Sequence, residues 1–126
     1  MSLSKQIEAV LRLPAPGRYG HFIKQVADKE ELWGLFDDGW AMVGDDNGTV
    51  FPVWHACEFA ALCAADSWAS FIPRVIDLTQ FLEEMLPDLS DNNISVGVLM
   101  TPEGLAPVPG NNQLKMDLLT ELSRYE

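Results

Sequence analysis

His55 and Cys57, with His21 earlier in the chain, are the side chains best suited to begin covalent chemistry, because an imidazole can take the proton of a thiol and the thiolate is a strong nucleophile. Residues two apart on a helix point about 200° from one another. The pair therefore works only if His55 precedes a helix and Cys57 opens it, where the helix N-terminus would lower the thiol pKa. The stretch HACEFAALCAA favours a plainer expectation, a buried and inert thiol in an alanine-rich helix. Cys57 and Cys63 are the two cysteines of the chain. Six residues of helix rotate about 240° net, so the two sulfurs face different sides and no disulfide is expected.

The acidic runs suggest metal chemistry and fail its tests. Asp45-Asp46-Asn47-Gly48 has the flavour of a calcium loop, yet setting Gly48 as the sixth loop position puts Val43 first and Trp54 twelfth, and neither can ligate. Pooling these carboxylates with Asp37 and Asp38 is excluded if both turns belong to one meander, whose middle strand holds them roughly 15 Å apart at about 3.3 Å per residue. Paired-carboxylate catalysis needs a closer couple. His21, His55, Cys57 and Cys63 lack the spacing of a zinc site. GxSxG, GxGxxG and P-loop patterns are missing, and Gly17 to Gly20 is too short to be one. The sequence implies no catalytic residue, metal or cofactor.

The aromatic residues are the remaining chemistry. Trp33, Trp40, Trp54 and Trp68 lie close in sequence to Phe36, Phe51, Phe59 and Phe71, a grouping that mostly builds a core. Trp54 and Trp68 flank the expected buried helix at loops and are the candidates for an exposed groove. Rimmed by Glu58 and Asp66, and with Asp45 and Asp46 adding charge, that groove would suit a basic or apolar peptide.

Charge points the same way. The 126-residue chain has a formal net charge of −11, unevenly spread: residues 30–114 hold fourteen acidic side chains against Arg74 alone, while residues 1–29 are net +3. A surface so negative repels phosphate backbones and anionic headgroups, so nucleic acid and membrane surfaces are not expected partners and a basic protein is. The start MSLSKQIEAV lacks a signal-peptide core, and no stretch approaches the ~20 apolar residues of a membrane span, so the cytoplasm is the expected location.

These residues need a scaffold, and the length suits one domain over residues 1–126. Helical spacing predicts a helix over 2–11 and another over 17–27, an N-terminal pair within residues 1–29. LWGLF, WAMV and TVFPVW, separated by Asp37-Asp38-Gly39 and Asn47-Gly48, predict a three-stranded antiparallel meander, with Pro52 marking an edge or an end. A buried helix follows over 55–65, then a loop carrying Trp68 and a short strand at 74–76. Asp77 and Gln80 predict a capped helix that Pro87 ends. ISVGVLM predicts a strand returning through Thr101–Gly104 to Leu105–Val108 as a second hairpin. Asn111 or Asn112 is expected to cap a last helix striped by Leu114, Leu118, Leu122 and Tyr125. Strands and four to five helices in this order define an α+β fold.

The passages RYGHFIKQVAD, WGLFDDGWAMVGDDNG, VFPVWHACEFAALC, IDLTQFLEEMLPDL and VGVLMTPEG resemble the bacterial domain-of-unknown-function family numbered 2750, over about Arg18 to Leu122. The resemblance implies a small bacterial cytoplasmic α+β protein and carries no reaction, cofactor or catalytic residue. FPVWHACEFA is also similar to a strand-and-helix passage of some secretion-linked modules, and DDGWAMVGDD resembles the acidic Gly-Trp turn of some toxin-immunity proteins. The expected function is a non-enzymatic protein-interaction module; a toxin-immunity or secretion-accessory protein and a cysteine-dependent enzyme are the alternatives.

Overall fold

A computed structural model describes residues 5–45, 48–102 and 106–124, the side chain of Asp45 excepted. The fold is α+β. Helices α1 (Lys5–Leu11) and α2 (Ala15–Lys29) open the chain. Pro14 caps α2 and lies between the helices, whereas Pro16 and Gly17, expected to fall in the break, are inside α2, which starts two residues before the expected Gly17 because Pro16, in the first turn, lacks only a donor that would be unpaired anyway. Arg18, Phe22 and Val26 share the buried face of α2 at i, i+4 and i+8. Arg18 donates from its guanidinium to the Leu13 carbonyl at 2.8 Å, fastening the turn between the two helices.

Strand β1 (Glu31–Phe36) follows, and here the structure departs from the expected meander. The Asp37–Gly39 turn is present, with Asp38 at φ 56°, but residues 40–42 form no strand and contribute one bridge, Phe36 to Trp40. β1 pairs antiparallel with β4 (Ile72–Asp77), Glu31 opposite Asp77 and Phe36 opposite Ile72. The hairpin of β2 (Val43–Asp45) and β3 (Gly48–Val53) does form, Val43 opposite Val50. β3 also runs parallel to β5 (Ile94–Val98), giving the order β2-β3-β5. The Trp33–Trp54 bridge, with both backbone hydrogen bonds at 2.7 and 2.8 Å, stitches this sheet to the β1-β4 pair.

The reason for the missing strand is steric. Trp40 folds flat over Gly34, where a Cβ would stand 2.9 Å from Cε3 and Cζ3 of the indole, and the ring makes edge contacts with Phe36 and Phe51 at 5.2 and 5.7 Å. Arg74 caps this stack with its guanidinium 4.4 Å from the Phe36 ring centre. That cation–π contact gives a role to the lone base of the acidic segment. Since the indole is held on two sides, Gly34→Val is expected to force the ring out and cost about 1–3 kcal/mol, read as a lower urea midpoint in equilibrium unfolding.

Of the two positions expected for Pro52, an edge or an end, the structure shows the second: its strand is central, and Pro52 is the residue before its last. Trp54 bonds toward β1 and Val53 toward Leu99, so alternation turns the donorless nitrogen of Pro52 to the side of β2, beyond Val50, where β2 has stopped pairing. Among the described residues the expected second hairpin forms no ladder: β5 pairs with β3, and the Val98 N–H donates to the Pro107 carbonyl; residues 103–105 of the expected turn lie outside the described residues.

Helix α3 (Cys57–Leu62) packs behind the strands, and a 3₁₀ turn (Asp66–Trp68) leads to β4. Asp77 caps α4 (Leu78–Gln80) by accepting the Gln80 N–H at 3.1 Å, as the sequence indicates. Pro87 does not end this helix. The coil widens into a π-turn (Phe81–Met85), Leu86 donating to Phe81, and runs on as α5 (Leu86–Asp91) with Pro87 in its first turn. The wider turn accommodates a residue that cannot bond back to Glu83. The final helix α6 (Asn111–Ser123) buries Leu114 and Leu118. Its N-cap is Gly110. Asn111 instead donates its amide to the Ile94 carbonyl and the Ser90 hydroxyl, tying α6 to β5. The Tyr19 hydroxyl donates to Asp117, joining α2 to α6, and burial, helped by that carboxylate, raises the phenol pKa. Tyr125 of the expected stripe lies outside the described residues. One hydrophobic core, with Phe22, Phe51, Trp54 and Phe81 fully buried, runs through both sheets and the helices.

Candidate functional site

Two surface depressions flank α3. The first, about 380 Å³, lies between the end of α3 (Leu62, Cys63), the 3₁₀ turn with Asp66 and Trp68, and the chain after β5 at Met100, Thr101 and Pro102. Asp66 takes φ 53°, a left-handed conformation that the short Asp side chain tolerates, and the tight turn brings Trp68 beside it. The lining mixes apolar side chains with Ser67 and Thr101, Trp68 is half-buried, and Asp66 is the charged side chain of the lining.

This cleft unites two of the six residues singled out in the sequence. Trp54 is not at its rim. Its indole is 0 % exposed and donates from Nε1 to the Met100 carbonyl at 2.9 Å, sharing that acceptor with the Cys63 thiol at 3.4 Å. Together they hold the cleft floor from beneath. Glu58, in the first turn of α3, belongs to the other depression. Asp45 ends β2, with its side chain outside the described residues, and Asp46 lies outside them altogether.

The second depression, about 480 Å³, is a groove beneath α1. His21, Gln25 and Lys29 line it from one face of α2, Ile7 and Val10 from α1, and His55, Glu58 and Phe59 from the start of α3. The His55 ring meets His21 edge to face, centres 4.8 Å apart, and lies 4.4 Å from Phe59. His55 is 4 % exposed, and its Nδ1 is buried with no hydrogen-bond partner. Burial, then the neighbouring His21, then the positive charge of Lys29 push its pKa down to about 3. Burial foremost and Lys29 second lower that of His21. Both imidazoles are therefore neutral near pH 7.

His55 does precede the helix and Cys57 does open it, the arrangement thiol chemistry would require. The imidazole nevertheless turns toward His21 and Phe59, and among the described residues no hydrogen bond joins Cys57 to either histidine. α3 is six residues long, and neither cysteine is in a disulfide. Among the described residues no three His, Cys, Asp or Glu side chains gather as a metal site would require. The sequence offered His21 and His55 as activators of Cys57 and as zinc ligands, not as a pair in contact. The His21-Gln25-Lys29 spacing was the available sign of a polar face on α2; the contact with His55 depends on tertiary structure.

These features define a small α+β protein with one core, a tryptophan-lined cleft and a histidine-lined groove. The chain belongs to the family described as Protein of unknown function (DUF2750), whose family model matches residues 19–118. That span takes in both depressions except the wall that α1 contributes to the groove. No curated protein and no solved structure matches the chain. Among the described residues no helix is long and apolar enough to cross a membrane.

Proposed function

We propose that the protein is a non-enzymatic interaction module of the bacterial cytoplasm, whose cleft at Trp68 receives a segment of a basic partner protein. The observation that carries this reading is the pairing of a half-buried indole with one carboxylate, Asp66, in one cleft. An aliphatic stem ending in a cation complements such a surface: its methylenes pack on the ring while its charge meets the carboxylate. The surrounding excess of acidic groups steers a basic chain toward the cleft.

The test is retention of a partner from native lysate on the immobilised protein, followed by affinity measurement with the recovered partner. Trp68→Ala is expected to weaken binding about 30-fold, the ~2 kcal/mol of an interfacial tryptophan, with circular dichroism unchanged. Asp66→Asn should lower affinity less and flatten its salt dependence. Trp54→Ala is unsuitable here because that ring belongs to the core. A partner held equally by wild type, Trp68→Ala and Asp66→Asn at all salt concentrations would overturn the reading.

A further inference from the structure

The groove beneath α1 is a second site, independent of the Trp68 cleft. We propose that it binds an apolar monocarboxylate, the head group between Lys29 and the imidazoles and the tail along Ile7, Val10 and Phe59. Three observations carry this. The groove, about 480 Å³, falls within the range of small-molecule sites and has a wall of aliphatic and aromatic side chains. Lys29 is the cation of its lining, and among the described residues it makes no ion pair. His55, almost wholly buried in that lining, has a ring nitrogen without a partner, which is costly for a buried polar atom and is relieved when the ring turns to present that nitrogen to a ligand in the groove.

The charges select the head group. α2 contributes Lys29 and neutral His21, α3 contributes exposed Glu58, the segment before it neutral His55, and α1 lines the groove with Gln6, Ile7, Ala9 and Val10, none charged. An amine would meet Lys29 with like charge. A phosphate dianion calls for several cationic donors, whereas one ammonium flanked by imidazoles matches a single negative charge. A carboxylate accepts from Lys29 and from an imidazole N–H, and by offsetting the Lys29 charge it makes protonation of the histidines easier. Glu58 repels the same head group, which gives the assignment a test of sign.

The experiment titrates the full chain with octanoate below its micelle concentration and follows backbone and imidazole nitrogens by NMR. Saturable shifts are expected at α1, at His21 to Lys29 and at His55 to Phe59, and the His21 titration midpoint should rise when octanoate is bound. Lys29→Gln should weaken binding about fivefold and Glu58→Gln should tighten it about twofold, exposed charges whose removal leaves the fold intact. Trp68→Ala should leave octanoate affinity unchanged, which separates this site from the partner cleft. Absence of saturable shifts, equal binding of octanol or octylamine, or affinities indifferent to both charge changes would each overturn the proposal.

Discussion

Trp54→Ala is expected to lower the unfolding free energy by about 4 kcal/mol, a large share of the roughly 5–15 kcal/mol typical of a small protein. The indole is fully buried at the seam of the two sheets, where its backbone bonds Trp33 and its Nε1 holds the Met100 carbonyl. Removing it leaves a cavity and deprives that carbonyl of its stronger donor, with the Cys63 thiol remaining. Trp54→Phe should restore part of the volume without the N–H and fall between the two. Urea unfolding, followed by circular dichroism so that tryptophan loss does not alter the signal, measures both. A loss under 1 kcal/mol for the alanine variant would show that the seam does not depend on this ring.

The second large effect is pH-dependent. Because the folded state holds the His55 pKa near 3 while the unfolded chain has the ordinary value of 6.5, the unfolded state binds more protons between these two pH values. Stability from the neutral imidazole is complete above pH 6.5 and is lost as pH falls toward 3. His21 is displaced in the same direction and adds to the slope. The expected slope from His55 is about 1 kcal/mol per pH unit below pH 6. His55→Phe removes the titration and keeps a ring against Phe59, so the difference between the two stability curves isolates it from the many carboxylates. Parallel curves between pH 6.5 and 4 would refute the buried neutral histidine.

Local features of this fold were legible in the sequence where a single segment decides them. Asp77 with Gln80 gave the cap, the Phe22 and Val26 spacing gave the face of α2, and the turn at Asp37–Gly39 ended β1. Partner choice was not legible, since β1 has the same local preference whether its neighbour is residues 40–43 or β4. The outcome rests on Trp40 covering Gly34, a contact across a turn that no periodicity announces. The parallel pairing of β3 with β5 left no local mark either. Pro87 misled because a π-turn can absorb what an α-helix cannot.

At the candidate sites the same division holds. Asp66 and Trp68 share a short turn and were found together. Trp54 has an equivalent place in the sequence, just before α3 rather than just after it, yet it points inward because the β1 bridge fixes the backbone on which it sits. The His21–His55 contact joins α2 to the approach of α3 and could be read from neither alone.

The parallel register of β3 and β5 also constrains how the chain reaches its native state. Trp54 and Met100 are 46 positions apart, and β1 likewise waits for β4. Neither sheet can be completed from neighbouring sequence, so most of the ordering entropy must be spent before the ladders reward it, and closure is expected to be slower than in a helical bundle of similar length. During synthesis on the ribosome, a nascent chain halted before Ile94 would present an unpaired β3 edge, which makes the emergence of β5 the step that ends its exposure to aggregation.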